Sequence, residues 1–490
     1  MTGSSKMKGA AAMPPCSEAT KKKAPEVLRI PSNKRKRAIV SVCASAPLIP
    51  DDMILEVLLQ LPVKSILRFR AVCRYWAATL SSKDFCSLHM ATSKMLPPAP
   101  KLLVLSPAPT FGSVAVYACS PSSPVDDLLF TFNCARRNSV EVVTPAPCCG
   151  LTLLYDAAAP AYYVCNAATR AITRLPPHRV ATYDSTAGLG FDAGTGEYKV
   201  VRLINGLSDE KETISCDVCT PGAHRWRPAT GGVPFKWSRF ASSAVHHAAV
   251  NKIPPVFANG FLHWLINPSL IIRRPRAAVV SFSVAEETFG CVRSPPFWGP
   301  GEHMRSSSQS EGEHLVVMDD QLCIVRDLRN GIPHRGTLEI WGLPDHGSGD
   351  WSLNHRIDLF GQVKRELADP RVVRVIGTVG NRKSGKKIVI ATSKHLVHGK
   401  FQKKVYSYDP SCQVLESILS VTETHTSLTR FIPGSRFSLH EESLAPLHKT
   451  HEDLAFKNVL KKLRLYAKRI KDERSLLLKS SVIEGLSDSC

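Results

Sequence analysis

The sequence predicts a small all-α unit followed by a mainly β domain, with one more helix near the C-terminal end. Three observations carry this prediction. Residues from about 47 to 90 hold apolar side chains at helical spacing. Residues 101–440 hold short β-like runs separated by Gly, Pro, Asn and Asp. In residues 452–479 apolar side chains return to helical spacing, and the 490-residue chain is long enough for this division.

The first predicted helix is apolar on nearly every side. Seven of the nine positions from Met53 to Leu61 are apolar, and at about 100° per residue their side chains point almost all the way round. The run is too short to cross a bilayer, which needs about 20 apolar residues. A unit this small buries little of its own surface, so we expect a second polypeptide to cover the remaining apolar face. Packing on the β domain is the alternative.

Local signals divide the unit into three predicted helices. Pro50 suits a first turn, where its missing N–H costs nothing, and Asp51 and Asp52 place negative charge at the positive end of the helix dipole. Pro62 ends that helix after about three turns. Ser65 is the predicted cap of the second helix, and a third helix follows it.

The residues of this unit resemble the F-box, particularly its plant form. The matching pieces are IPDD, EVL, LPVKS, RFR, VC and W within residues 49–76. Ile49 stands where Leu is usual in the family, and Tyr75 where a small polar residue is common. The resemblance implies that the unit binds a Skp-type adaptor through apolar side chains that fill pockets on the partner. The predicted contacts are Ile49, Pro50, Ile54, Leu55, Leu58, Leu61, Pro62, Ile66, Leu67, Val72 and Trp76.

Five stretches of the β domain share one pattern, in which a strand, a polar turn and a second strand follow one another. The turn centres lie near residues 168, 222, 286, 347 and 410, a spacing of roughly 54 to 64 residues. That spacing leaves room for a four-stranded blade with its loops. A blade cannot bury both faces alone, so the units should stack around an axis. A β-propeller is therefore favoured over a two-sheet sandwich, with five to seven blades.

The β domain also resembles the F-box-associated domain of plant F-box proteins, which is related to kelch-type propellers. The matching pieces are GFD and EYKVV within residues 190–201, NGFLHWL at 259–265, IW at 340–341, Trp351 and YDP at 408–410. Kelch repeats carry a Gly-Gly doublet in each blade, and here only Gly231-Gly232 appears. The expected fold is therefore an irregular, kelch-like β-propeller.

Together the two resemblances imply the substrate-recognition subunit of an SCF-type (Skp–cullin–F-box) ubiquitin ligase. The F-box would bind the Skp adaptor and through it a cullin scaffold, and the β domain would bind a protein target whose identity the sequence does not reveal. The predicted divisions are a disordered basic tail at 1–45, the F-box at 46–90, a Pro-rich connector at 91–100 that holds the two units apart, the β domain at 101–440, and a basic helix and tail at 441–490.

The formal net charge of +21 is concentrated near the two ends of the chain. Residues 1–40 hold ten Lys or Arg against two Glu, and residues 449–474 hold nine against four acidic residues. A nuclear nucleic-acid or chromatin-associated binding protein is therefore the alternative function. It is the weaker one, because no nucleic-acid-binding module is recognised. Lys34, Arg35, Lys36 and Arg37 form a candidate nuclear import signal, and fifteen scattered cysteines suit reduced thiols in the nucleus or cytoplasm.

Catalytic and metal-binding patterns are missing from the sequence. Cys216 and Cys219 form its only CxxC pair, no second pair lies at zinc-site spacing, and His246-His247 lack the helical HExxH context of zinc enzymes. Neither a GxxxxGK[ST] phosphate loop nor a GxSxG elbow occurs. We therefore expect a non-catalytic subunit with no cofactor, no metal and no membrane contact.

Overall fold

The computed structural model describes two kinds of structure, short helices and a ring of antiparallel sheets. The described residues are 51–95, 101–110, 112–119, 127–136, 139–178, 184–208, 211–267, 277–298, 313–329, 336–359, 361–370, 372–381, 385–396, 400–424 and 437–447. Ile49, Pro50, the import candidate at 34–37, the tail at 1–45 and the predicted helix at 452–479 lie outside the described residues.

The helical unit contains four described helices instead of the three predicted. They are α1 (Asp51–Gln60), α2 (Val63–Phe69), α3 (Arg74–Ser81) and α4 (Lys83–Met95). Helix α4 starts where the Ser82 hydroxyl accepts a hydrogen bond from the Phe85 backbone N–H at 3.2 Å. Because α4 continues to Met95, the first half of the predicted 91–100 connector is helical.

The β domain is a six-bladed propeller within the described residues, and each blade is a four-stranded antiparallel sheet. Blade 1 contains β1 (Lys101–Pro107), β2 (Ser113–Cys119), β3 (Asp127–Asn133) and the last strand, β24 (Phe437–His440). Blade 2 contains β4 (Val140–Val142), β5 (Thr152–Asp156), β6 (Ala161–Asn166) and β7 (Ala171–Arg174). Blade 3 contains β8 (Ser185–Asp192), β9 (Glu197–Ser208), β10 (Lys211–Cys219) and β11 (Arg227–Pro228).

The remaining three blades follow in chain order. Blade 4 contains β12 (Val256–Ala258), β13 (Phe261–Leu265), β14 (Ala277–Ser283) and β15 (Phe289–Arg293). Blade 5 contains β16 (His314–Met318), β17 (Gln321–Asp327), β18 (Thr337–Leu343) and β19 (Ser352–Asp358). Blade 6 contains β20 (Val372–Asn381), β21 (Gly385–His395), β22 (Lys400–Asp409) and β23 (Val414–Thr424). The five predicted hairpins are the last two strands of blades 2 to 6.

The ring is closed by strands from opposite ends of the β domain. Strand β24 pairs with β1 in antiparallel register, with Lys101 opposite His440 and Val104 opposite Phe437. It therefore takes the first, innermost position of blade 1, whose other three strands come from the start of the domain. This pairing gives the blade its inner strand and joins the two ends of the β domain, which closes the ring.

Each blade has two ends, which define two faces of the propeller. Where the structure describes them, the turns after the first and third strands of a blade lie at one end, which we call the near face, and residues 193–196 and 220–226 are examples. The second and fourth strands of each blade end at the opposite end, the far face, because successive strands are antiparallel. The chain enters β1 and leaves β24 at the near face, so the helical unit is attached there.

A helix absent from the sequence prediction covers part of the far face. Helix α5 (Phe235–Asn251) lies between blades 3 and 4 and packs on strands of both. The Arg374 guanidinium, from the inner strand of blade 6, donates to the backbone carbonyls of Asn251 and Lys252 at its C-terminal end. Lys252 also lies 3.9 Å from the carboxylate of Glu141 in blade 2. The helix therefore crosses the mouth of the central channel. A second short helix, α6 (Gly361–Leu367), connects blades 5 and 6.

Two glycines of β8, Gly188 and the Gly190 of the GFD pattern, allow this strand to pack closely on blade 4. A Cβ atom on Gly190 would lie 2.5 Å from a methyl carbon of Val284, and one on Gly188 would lie 2.7 Å from the Pro255 ring. Both neighbours belong to the region of blade 4. Glycine at these positions lets the inner strand of blade 3 approach blade 4 more closely than any side chain allows.

Candidate adaptor-docking surface and the joint behind it

Two of the predicted adaptor contacts lie in the core of the helical unit. Leu58 is 7% exposed and Ile66 is fully buried, and they pack together with Leu80, Phe85 and Leu444, a leucine from the segment after β24. In this structure these two side chains are buried in the core that holds the helices together. Sequence spacing could not separate them from the surface positions because the helix is apolar on nearly every side.

Four large apolar side chains among the described residues of the helical unit remain exposed, and we call them the helical apolar surface. Met53 and Val57 are 57% and 60% exposed and lie one turn apart on α1. Val72 is 63% exposed in the turn before α3, and Tyr75 is 47% exposed in its first turn. Large apolar groups in water forgo roughly 1.5–3 kcal/mol each relative to full burial, so this surface gains stability when a partner covers it.

The other predicted contacts lie between core and surface. Five of them are half-buried and pack against the helical core, and Pro62 is exposed at the start of α2; the five are Ile54, Leu55, Leu61, Leu67 and Trp76. Trp76 packs edge-on against Phe69, with ring centroids 5.5 Å apart. Their partly exposed edges can contribute to docking beside the helical apolar surface.

Met53, Val57 and Tyr75 were not among the predicted contacts. The signal for the first two is their spacing of four residues, which places them on one side of α1 opposite the buried Leu58 and Leu59. For Tyr75 the departure from the family pattern was the only local sign, since an aromatic residue stands where a small polar one is common.

The segment after the last strand joins the helical unit to the near face, and we call residues 441–447 the strap. The Glu442 carboxylate accepts a hydrogen bond from the Val63 backbone N–H at 3.3 Å, at the start of α2. It also lies 3.2 Å from the Lys101 ammonium at the start of β1. Leu444, 2% exposed, completes the helical core. The strap therefore contacts both units through a charge and an apolar side chain.

Blade 2 holds the strap from the other side. The Asn166 side-chain amide donates to the carbonyls of Ser443 and Ala445, both at 2.9 Å. The Gly150 N–H donates to the Glu441 carboxylate at 3.1 Å, and a Cβ on Gly150 would lie only 2.0 Å from the Cβ of Ser443. These contacts correct the expectation that a connector keeps the two units apart, because the helices pack on the propeller. The helical apolar surface nevertheless stays exposed.

A cleft of about 440 Å³ lies between α4 and blade 3. Its walls include Cys86 and Met90 from α4, Tyr198 and Ala223 from blade 3, and Leu447 from the strap. The Tyr198 hydroxyl donates to the Cys149 carbonyl at 3.0 Å, and burial raises its pKa. Burial also raises the pKa of the Cys86 thiol to about 11. The cleft therefore contains neither an activated nucleophile in Cys86 nor a proton acceptor in Tyr198.

The cysteine and histidine residues that were considered as metal ligands are held in the fold by packing or by a hydrogen bond. Burial raises the pKa of both Cys216 and Cys219, which opposes the thiolate form that a metal needs. His246 and His247 lie on α5, not in a loop; the first contacts Asp184 at 2.6 Å, and the second is buried. Across the described ranges no group of three or more His, Cys, Asp or Glu side chains could hold a metal ion. Among the described helices, none is long and apolar enough to cross a membrane.

Comparisons with known proteins agree with this architecture. Residues 114–421 match the family described as the F-box associated beta propeller domain, and residues 47–88 match the F-box domain. This chain belongs to the F-box proteins with an F-box-associated β-propeller. The predicted resemblance and fold class are thus confirmed, and the blade number left open is six within the described residues.

Relatives of this F-box protein occur in Arabidopsis thaliana. An F-box protein is 30% identical over 234 residues, 45% of this chain and 59% of the relative. An F-box/kelch-repeat protein is 25% identical over 297 residues, 56% of this chain and 64% of the relative. The F-box protein CPR1 is 24% identical over 325 residues, 62% of this chain and 71% of the relative. This chain spans about three fifths of the length of the first two relatives.

Proposed function

We propose that this F-box protein is the substrate-recognition subunit of an SCF-type ubiquitin ligase. Its helical unit binds a Skp-type adaptor, which connects it to a cullin scaffold, and its propeller binds a protein target for ubiquitination and degradation. The observation that carries the proposal is the helical apolar surface. Met53, Val57, Val72 and Tyr75 stay exposed although the core of the unit packs on the near face through Leu444.

The proposed role is non-catalytic. A substrate receptor contributes proximity, because holding the target beside the activated ubiquitin raises its effective concentration. The pKa directions of Cys86, Tyr198, Cys216 and Cys219 agree with buried structural groups and with no activated nucleophile among them. We also propose that the protein is located in the nucleus, the cytoplasm or both. The basic cluster of the N-terminal tail, a candidate nuclear import signal, supports the nuclear part of this proposal.

The positions of the two units suggest where a target binds. The helical unit occupies part of the near face around blades 2 and 3, where Ala168 and the cleft residues meet it. The far face bears α5, α6 and the connections between blades. We therefore place target binding on the far face, so that adaptor and target lie at opposite ends of the propeller and do not compete for surface.

Co-purification with a Skp-type adaptor tests the adaptor role. We expect Val57→Asp combined with Val72→Asp to lower adaptor affinity by at least about a hundredfold, because two charged carboxylates would enter an apolar interface. The matched control is Val250→Asp combined with Leu353→Asp, at positions that are 40% and 44% exposed on α5 and β19. Equal binding by both double variants would refute the helical apolar surface as the docking site. No binding by the unaltered protein would refute the adaptor role.

A further inference from the structure

The start of α5 carries an aromatic and basic surface, which we call the α5 patch. It consists of Phe235, Lys236, Trp237, Arg239 and Phe240. Phe235 is 95% exposed, more than any other large apolar side chain in the described ranges. The patch lies in the far-face connection between blades 3 and 4, and no element of the described structure covers the Phe235 ring.

The α5 patch rests on a fixed base. Phe240 packs against the apolar core shared by blades 3 and 4. The Trp237 ring lies 6.0 Å from it between centroids, and the Lys236 ammonium sits 5.2 Å from the centre of the Trp237 ring. The Ser238 hydroxyl donates to the Phe235 carbonyl at 2.9 Å, which ties the first turn. The backbone that carries Phe235 is therefore held in place before a partner binds, which lowers the cost of ordering this segment.

The charged side chains of the α5 patch are all positive. Helix α5 contains no Asp or Glu in its 17 residues. In the part of the chain that the structure describes, neither Lys236 nor Arg239 has a carboxylate within salt-bridge distance. Two cations beside an exposed aromatic ring are complementary to an acidic segment that also offers an apolar side chain.

We propose that the α5 patch binds an acidic segment of the target protein, with an apolar side chain of that segment packed against Phe235. The proposal rests on the proposed function, since it names the chemistry of the target that the propeller recognises. A membrane is the weaker partner for this surface. A single projecting ring and two cations supply far less apolar area than a membrane-bound amphipathic helix.

Fluorescence anisotropy with the full-length protein and labelled peptides tests the proposal. The probes are a library of short peptides rich in Glu and Asp with one Leu, Met or Phe, a charge-reversed Lys library, and an acidic library without apolar residues. We expect selected members of the first library to bind, the other two libraries not to bind, and added salt to weaken binding. Phe235→Ser should weaken it at least about tenfold, and Lys236→Glu with Arg239→Glu should abolish it.

Val250→Ser is the matched control, because it changes an exposed apolar residue at the other end of the same helix. It should leave peptide binding unchanged. Failure of the whole acidic–apolar library to bind, or equal binding by the Phe235→Ser variant, would overturn the proposal. So would preferential binding to phosphatidylserine vesicles in a parallel sedimentation assay. Adaptor binding measured on the same samples separates this result from the proposed function, because each interaction can fail while the other persists.

Discussion

Shortening Leu444 to alanine should loosen the helical unit from the propeller. Leu444 is 2% exposed, and in the described structure it is the one buried residue of the helical core that comes from the strap and not from the helices. Leucine-to-alanine changes at such sites cost about 2–5 kcal/mol, through lost apolar transfer and the cavity left behind. A unit of four short helices has little stability of its own, so the loss should appear as opening of these helices.

Hydrogen–deuterium exchange measured by mass spectrometry can localise that opening. We expect amides of α1 to α4 to exchange at least about 30-fold faster in Leu444→Ala, the factor that corresponds to about 2 kcal/mol. Peptides from blade 5 should keep their exchange rates. The control is Leu343→Ala, which shortens an equally buried leucine of blade 5. It should accelerate exchange in blade 5 and leave the helices unchanged.

Equal exchange rates of the helices in Leu444→Ala and in the unaltered protein would refute this prediction. So would a uniform acceleration of exchange over the whole chain in both variants. The first result would mean that the strap does not hold the helices. The second would mean that helices and propeller open only together, as a single cooperative structure.

Two further predictions concern the propeller. The buried Glu287 carboxylate pairs with the half-exposed Arg227 and lies 3.1 Å from the Lys199 ammonium, which also lies 3.5 Å from Asp192. Because neither cation is left buried without a partner, Glu287→Gln should lower the free energy of unfolding in urea by about 1.5–3 kcal/mol, the range for hydrogen bonds to charged groups. The same change at the exposed Glu416 should cost less than about 1 kcal/mol, and equal losses would contradict the argument. Burial lowers the pKa of His247 to about 4, so the folded protein holds this imidazole neutral. The stability that depends on the neutral imidazole is fully present above the unfolded pKa near 6.5 and is lost as the pH falls towards 4. Between about pH 7 and pH 5 the unaltered protein should therefore lose about 2 kcal/mol more than His247→Gln, and parallel losses would count against it.

The local parts of the fold could be predicted from the sequence. Pro62 separates α1 from α2 as expected, because proline cannot continue a helix. The five predicted hairpins are present, since each is a short-range pattern of strand, polar turn and strand. Blade 1 was not recognised from such a hairpin, although its last two strands, β2 and β3, are also close in sequence. Its first strand, β24, lies more than 300 residues further along the chain than its second strand, β1. Pairings at that sequence distance leave no mark in local spacing, and the blade number stayed open for this reason.

The contacts between the strap and the helical unit could not be predicted either, because they also join residues that are far apart in the sequence. Ser65 was expected to cap α2, but the helix begins at Val63 after Pro62. The Val63 N–H is instead satisfied by the Glu442 carboxylate, 379 residues away. Helix α5 was missed because its buried face consists mainly of small residues, such as Ala241 and Ala244, which give a weak helical pattern. The burial seen in the structure separates the core residues of α1 from its surface residues. Periodicity alone could not separate them, because the helix is apolar on nearly every side.

The most direct test of the account is a hydrogen–deuterium exchange footprint of the purified protein with and without a Skp-type adaptor. We expect the adaptor to protect peptides of α1 and α3, which contain Met53, Val57 and Tyr75, together with the turn at Val72. Peptides of α5 and of the outer strand β19 should be unchanged. Protection confined to the propeller, or none on the helices at a concentration where the complex forms, would contradict the claim that the helical apolar surface exists for a second polypeptide.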